Sequence, residues 1–225
     1  MFYQKKVAKI LNLSILLLFT FSFGQEVDEN YREDQIYFSV YYNSLNTNIN
    51  EFKENKFSNS INLGFIRDIP LNKSGRFAIG IGAGLGINLF NNNLTFQQDD
   101  NDYNFEIKSF NSFKKNTYSF SEIQVPLEIR WRSSSISKYR FWRIYTGLKY
   151  SRLLSQKYKF KDQNSTFSTS DVFINRNQLG FTINIGYNTW NLGLYKSVVP
   201  FFNKNNKNTP VDVEQFKLGL VFYIL

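Results

Sequence analysis

Between Ser121 and Ser133 the chain reads SEIQVPLEIRWRS, and its charges keep a two-residue rhythm at Glu122, Glu128, Arg130 and Arg132. The positions between them are Ile123, Val125, Leu127, Ile129 and Trp131. Successive side chains of a strand point to opposite faces, so this segment is a strand with one charged wall and one greasy wall. Arg143, Lys149 and Lys217 hold the charged phase in two further alternating segments and complete a set of seven. Carboxylates and cations on one face can pair with each other or line a path for a ligand or ion. Catalysis has little to work with. The chain contains no histidine and no cysteine, which rules out a Ser-His-Asp arrangement and a thiolate nucleophile. It also removes the commonest metal ligand. Asp99 and Asp100 form a carboxylate pair, but they stand in an Asn-rich stretch and read as solvating. No D-x-D-x-D-G spacing suits Ca²⁺. No catalytic, cofactor-binding or metal-ligating residue is expected, and the chain reads as a non-enzyme.

The greasy walls say what the elements face. From Phe77 to Leu89, Phe77, Ile79, Ile81, Ala83, Leu85, Ile87 and Leu89 share one face, while Ala78, Gly80, Gly82, Gly84, Gly86 and Asn88 share the other. A soluble strand would turn bulky groups to its core, and four glycines there would waste that core and weaken the strand. The pattern fits a strand whose apolar face looks at lipid and whose glycine face gives room to long side chains inside a barrel. The glycines stand two apart with no helix following, so they are not a dinucleotide loop.

Residues 1–24 read as a leader to be removed. Lys5, Lys6 and Lys9 make a positive start, Ile10 to Phe21 an apolar stretch, and Ser22 and Gly24 a small-residue cleavage site before Gln25. Residues 25–225 are then one domain. The net charge of +9 falls by three to +6 with the leader's lysines. Lys and Arg are scattered without a dense block, so no nucleic-acid partner is expected. After the leader no long apolar run exists, so entry into a membrane requires a closed barrel. A mean hydropathy of −0.36 is compatible with that, because lumen residues dilute lipid-facing ones.

Seven more segments alternate in the same way: Gln35–Asn43, Phe57–Arg67, Tyr118–Arg132, Phe141–Leu153, Gln178–Tyr187, Trp190–Tyr195 and Gln215–Ile224. Their connections alternate in length. Asp68–Gly75, Ser133–Tyr139 and Asn188–Thr189 are short, whereas Ser44–Lys56, Phe90–Asn116, Ser155–Asn175 and Val199–Asp212 are long and rich in Asn, Lys, Asp and Ser. An outer-membrane barrel has an even strand number, short periplasmic turns and longer external loops, with both termini periplasmic. The expected fold class is therefore all-β, an eight-stranded up-and-down transmembrane barrel. A soluble lipocalin-like barrel is the competing fold.

Tyr42, Trp131, Trp142, Tyr150, Tyr187 and Trp190 lie near strand ends, as aromatic girdles do. Pro126 in mid-strand should mark a bulge or a distorted pairing, since proline removes a ladder hydrogen bond. An eight-stranded barrel is only wide enough for side chains to fill its interior. Glu122, Glu128, Arg130, Arg132, Arg143, Lys149 and Lys217 are thus expected to form a salt-bridged plug, with a ligand or ion path as the alternative. Glu128 and Arg130 are expected to pair with Arg143, Lys149 or Lys217.

SEIQVPLEIRWRS, GFIRDIPLNK, YRFWRIYTGLKY, GYNTWN and the C-terminal FKLGLVFYIL together resemble the PorT-like outer-membrane β-barrel family of Bacteroidota, in its flavobacterial porin-like branch. The resemblance spans essentially the whole mature chain and brings no catalytic or binding residues. It implies an integral barrel in the cell outer membrane, in contact with outer-membrane lipid and inserted by the barrel-assembly machinery. The founding member is associated with secretion through the type IX system and gliding. A role accessory to envelope assembly or protein secretion, alongside other envelope components, is what the resemblance suggests. A small-solute pore or transporter is the second reading.

Overall fold

The computed structural model describes residues 34–54, 56–99, 102–133, 141–170, 173–203, 210 and 212–224. The leader, Asp100 and most of the Ser133–Tyr139 connection lie outside the described residues. Eight strands carry the barrel: β1 (Asp34–Thr47), β2 (Asn59–Pro70), β3 (Phe77–Asn91), β6 (Lys115–Arg132), β7 (Trp142–Lys161), β9 (Asn177–Tyr187), β10 (Trp190–Ser197) and β11 (Val213–Ile224). Each pairs antiparallel with its sequence neighbour in the barrel, and β1 pairs with β11 to close the ring. A small hairpin, β4 (Leu94–Asp99) with β5 (Asp102–Ile107), stands between β3 and β6. A short β8 (Thr166–Thr169) adds to the far end of β7. Closure matters physically because an open edge has no hydrogen-bond partner in hydrocarbon.

The alternating phases set the walls. On β1, Ile36, Val40 and Tyr42 are exposed while Tyr37, Ser39, Tyr41 and Asn43 are buried. On β6, Ile123, Val125, Leu127 and Ile129 point out, while Glu122, Gln124, Glu128, Arg130 and Arg132 are buried inside. Leu63, Leu85, Phe181, Ile183, Leu192, Leu218 and Leu220 continue the outer apolar belt around the other strands. A soluble chain rarely exposes so much contiguous apolar surface, whereas a lipid-facing barrel wall requires it. At the short-turn end, Trp142 packs on Tyr187 with ring centroids 5.5 Å apart, and Trp190 packs on Phe222 at 4.7 Å. Tyr42 and Tyr150, both exposed, mark the opposite edge of the belt.

Local chemistry explains the turns. β9 and β10 are joined by Asn188 and Thr189, and Asn188 takes the left-handed conformation (φ 55°) that asparagine tolerates. Gly75, at φ 63°, turns β2 into β3, where a side chain would strain the backbone. Pro126 does not carry a bulge. Its effect falls on the β3 side, where the pairing runs Ile81↔Leu127 and then Gly84↔Gln124, skipping two pairs, those of Pro126 and Val125. The bulge lies between Ser121 and Glu122, where Ser121 faces Ser155, Glu122 faces Leu153, and Leu154 is the extra residue. That extra residue flips the phase of β7 beyond it. Tyr158 is therefore buried, while Lys157, Lys159 and Lys161 point outward.

The long-loop end is more ordered than its polar composition suggests. Strands β3, β6 and β7 run past the apolar belt, and their inner faces turn aromatic. Phe90, Tyr118, Phe120 and Tyr158 pack with Leu45, Leu94, Phe96, Leu153, Ile174, Phe201, Phe202 and Val213 into a buried cluster. Phe201 and Phe202 cross at 4.8 Å, and Tyr118 and Tyr158 at 4.8 Å. The Tyr158 hydroxyl accepts from the backbone N–H of Phe96, and the Tyr118 hydroxyl donates to the Leu94 carbonyl. These bonds tie the β4–β5 hairpin over the barrel mouth. We call this assembly the crown.

Candidate functional site: the barrel lumen

All seven charged residues singled out from the sequence are buried on the inner wall. They fall into two tiers, and an eighth charge, Asp68, joins them.

The tier at the short-turn end is an ion-pair lattice. Arg130 Nη1 donates to Asp68 Oδ1 at 2.6 Å and to Gln35 Oε1 at 3.0 Å, and its Nε donates to Glu128 Oε2 at 2.9 Å. The guanidinium also lies over the rings of Tyr145 and Tyr223, 4.3 and 5.1 Å from their centroids. Asp68 turns its second oxygen to Arg132 Nη1 at 3.2 Å. Arg132 Nε donates to the Gly75 carbonyl at 2.6 Å, anchoring the lattice to the β2–β3 turn. Three strands therefore lock together through one guanidinium, that of Arg130 on β6, which holds Gln35 of β1 and Asp68 of β2. Arg143 stacks 4.5 Å from the Phe141 centroid. Its Nε and Nη1 have no hydrogen-bond partner among the described residues.

The second tier is more diffuse. Gln124 Nε2 donates to Glu122 Oε1 at 2.7 Å and to Asn62 Oδ1 at 2.8 Å. Lys217 Nζ donates to Asn88 Oδ1 at 2.6 Å. Lys149 Nζ lies 4.6 Å from the Tyr195 ring and 6.0 Å from Tyr41. Neither lysine comes within ion-pair distance of a carboxylate among the described residues. The expected pairing of Glu128 and Arg130 with Arg143, Lys149 or Lys217 is therefore corrected. Arg130 finds Asp68 on β2 and Glu128 on its own strand, because the bare Gly80 wall beside it opens the way to β2. By sequence Asp68 opens the short connection Asp68–Gly75 and so carries no inward-facing signal of its own. One further step of the Ser60, Asn62, Gly64, Ile66 alternation puts it inside.

The glycine wall is filled as steric reasoning requires. A Cβ on Gly80 would stand 2.6 Å from Arg130 Nε, and one on Gly86 2.5 Å from Asn62 Oδ1 and 2.6 Å from Gln124 Nε2. Gly64 and Gly84 both give way to the Tyr37 ring, whose hydroxyl donates to Gln124 Oε1 at 3.4 Å. Between the tiers remains a void of about 30 Å³, lined by Tyr37, Ser39, Tyr41, Glu128, Lys149 and Thr182 among others. A void of that size holds roughly two water molecules. Above the second tier, Lys217 Nζ stands 5.9 Å from the Phe90 ring and 6.0 Å from Phe120, which open the aromatic crown. Among the described residues, side chains fill the lumen on both sides of this void, from the ion-pair lattice to the crown. Among the described residues no cluster of three or more carboxylates could hold a metal ion.

The family profile described as "Outer membrane protein beta-barrel domain" matches residues 17–205. No curated relative matches the chain. Among solved structures, the chain is similar to Ail, the attachment invasion locus protein of Yersinia pestis, at 14% identity and a TM-score of 0.38. That match covers 85% of this chain and 97% of the other. The same protein in complex with the heparin analogue sucrose octasulfate matches at 14% identity and a TM-score of 0.37, covering 86% and 99%.

Proposed function

Because the chain belongs to the outer membrane protein β-barrel domain family, we propose that it is a sealed, non-enzymatic scaffold of the outer membrane whose working part is its crown. The single observation that carries this reading is the filled lumen. Among the described residues, Arg130, Asp68, Arg132 and Glu128 fill one tier, the aromatic cluster fills the other end, and a void of about 30 Å³ lies between. A solute path would need a continuous opening, and an eight-stranded barrel has no width to spare for one. In this reading the long-loop end faces outward and both termini face the periplasm. The leader is removed before Gln25, and the barrel-assembly machinery inserts the barrel into outer-membrane lipid. The crown then serves an envelope or secretion assembly, as the PorT-like resemblance suggests.

The experiment is single-channel recording of the purified barrel in planar bilayers. The scaffold reading expects no stable stepwise conductance. Long-lived, uniform conductance steps would favour the small-solute pore instead.

A further inference from the structure

The short-turn end of the lumen holds a charge that the ion-pair lattice leaves without a counterpart. Arg132 ends β6, Arg143 lies at the start of β7, and the two stand directly opposite each other in the β6–β7 register. Both are buried, 1% and 3% exposed. Like charges placed opposite each other across strands repel, so folding alone gives no reason for the pair. Arg132 is satisfied by Asp68 and by the Gly75 carbonyl. Arg143 has no such relief: its Nε and Nη1 lack a hydrogen-bond partner among the described residues. This end of the lumen thus holds the three guanidiniums of Arg130, Arg132 and Arg143 against the two carboxylates of Asp68 and Glu128. A buried charge without a partner is very costly. A lysine can escape by giving up its proton, whereas an arginine in a protein cannot.

The surroundings of Arg143 repeat those of Arg130 with one member changed. Arg130 reaches Asp68 past the bare Gly80. Arg143 stands opposite Gly186 on β9, and Gly186 stands opposite Asn191 on β10. The Asn191 side chain leans over that glycine, where a Cβ would meet its Oδ1 at 2.5 Å. Asn191 Nδ2 donates to the carbonyls of Thr189 and Val221, both at 3.1 Å. Its Oδ1 has no partner among the described residues. Where Arg130 finds a carboxylate, Arg143 finds an uncharged amide. The ring centroid of Phe141 lies 4.5 Å from the guanidinium carbon and that of Tyr223 lies 6.0 Å from it. Phe141 is itself buried, so the place suits a small ion and not a polymer. At the rim, Lys73 and Arg76 are exposed and in no ion pair among the described residues. Cations around a mouth draw anions towards it.

We propose that the short-turn mouth of the lumen binds one small oxyanion of the phosphate class, with Arg143 as its cationic partner. Arg143 donates to its oxygens. The hydroxyl of a protonated oxyanion donates to Asn191 Oδ1, a bond that chloride cannot make. The ion balances the surplus guanidinium and completes the plug at this end. The site is additional to the scaffold role, and its test is separate, since binding to the purified barrel is independent of conductance.

The test uses the full mature barrel in detergent, folded as judged by heat-modifiable migration, with inorganic phosphate as probe. The phosphorus NMR line of phosphate should broaden saturably on native wild-type protein and not on urea-unfolded protein. The variant R143Q should bind phosphate roughly 10- to 100-fold more weakly, the worth of a charge-assisted hydrogen bond. R143K should bind better than R143Q. R152Q, which removes an exposed arginine further along β7, should match wild type. Stability is the second readout. Phosphate strengthens folding somewhat by exclusion from any protein surface, and R143Q sets that baseline. Above it, each tenfold rise in phosphate past the dissociation constant should multiply the wild-type folded-to-unfolded ratio about tenfold. Native wild type that broadens the line no more than unfolded protein overturns the proposal, even if R143Q cannot be folded. So does a phosphate response of R143Q equal to that of wild type, or a loss in R152Q as large as in R143Q.

Discussion

Two ion pairs in this barrel share a contact of 2.6 Å and should differ several-fold in their effect on stability. Arg130 meets Asp68 with both side chains fully buried, whereas Arg67 meets Asp34 on the outer rim with side chains 58% and 45% exposed. The substitution Asp68→Asn keeps the shape and removes one charge from beneath two guanidiniums. Arg130 then has Glu128 as its remaining carboxylate, and Arg132 loses the acceptor 3.2 Å away. Removing one partner of a buried pair costs about 3–5 kcal/mol, because an uncompensated charge stays in a low-dielectric site. Water and relaxed geometry at the rim make Asp34→Asn far milder, because an exposed pair is screened by solvent. Equilibrium urea unfolding in lipid vesicles reads both. Trp131, Trp142 and Trp190 flank the short-turn end of the barrel, so their fluorescence reports the loss of the folded wall. Combining Asp68→Asn with Arg132→Gln should restore part of the loss, since the surplus cation goes too. Equal destabilisation by Asp68→Asn and Asp34→Asn would refute the claim that the lattice is a desolvated plug.

Leu127→Arg should hinder membrane assembly by about 2–4 kcal/mol, the cost of arginine on the lipid face at midplane. Arg130→Gln should insert normally while unfolding more easily, and outer-membrane fractionation with heat-modifiable migration separates the two outcomes. Gly80→Ala should destabilise the barrel by about 1–3 kcal/mol through overpacking, because the new methyl displaces Arg130 Nε; vesicle unfolding measures it. Outside the membrane, Asp162 is held below its ordinary carboxylate value by the backbone N–H and hydroxyl of Ser165 and the N–H of Asn164. Its folded-state value being lowered, the stabilisation is fully present above about pH 3.9, the unfolded value. It is lost as pH falls through the lower folded value, and faster amide exchange of Asn164 and Ser165 in acid should follow that titration.

The apolar belt was readable from sequence because a lipid-facing strand obeys one rule along its length: apolar out, small or polar in. Ile123 through Trp131 and the glycine wall of β3 state that rule without exception. The rule stops at the headgroups, and so did its reach. Above them the alternation inverts, with Tyr118 and Phe120 inside and Ser119 outside. A pattern sought as greasy-out therefore reads as loop in Phe90–Asn116 and Ser155–Asn175, where strand extensions and the crown stand. The extra residue at Leu154 hid the continuation of β7, because a one-residue insertion moves every later side chain to the other face. The lumen charges were legible as inward-facing, but their partners were not. Pairing depends on which strands stand two apart around the ring, and Asp68 reaches Arg130 across β3 only because Gly80 leaves the space between them open.

The sealed lumen is the centre of this account, and the cysteine-free chain allows it to be probed with a single introduced thiol. Ser39 is 2% exposed, lines the residual void and accepts from Asn62 Nδ2 at 2.9 Å. In the folded, membrane-embedded barrel, Ser39→Cys should resist a water-soluble, membrane-impermeant thiol reagent and react fully in urea. Lys157→Cys on the outer face should react in both states. Labelling of Ser39→Cys in the folded barrel at a rate close to that of Lys157→Cys would mean that water and solutes traverse the lumen, and would contradict the sealed scaffold.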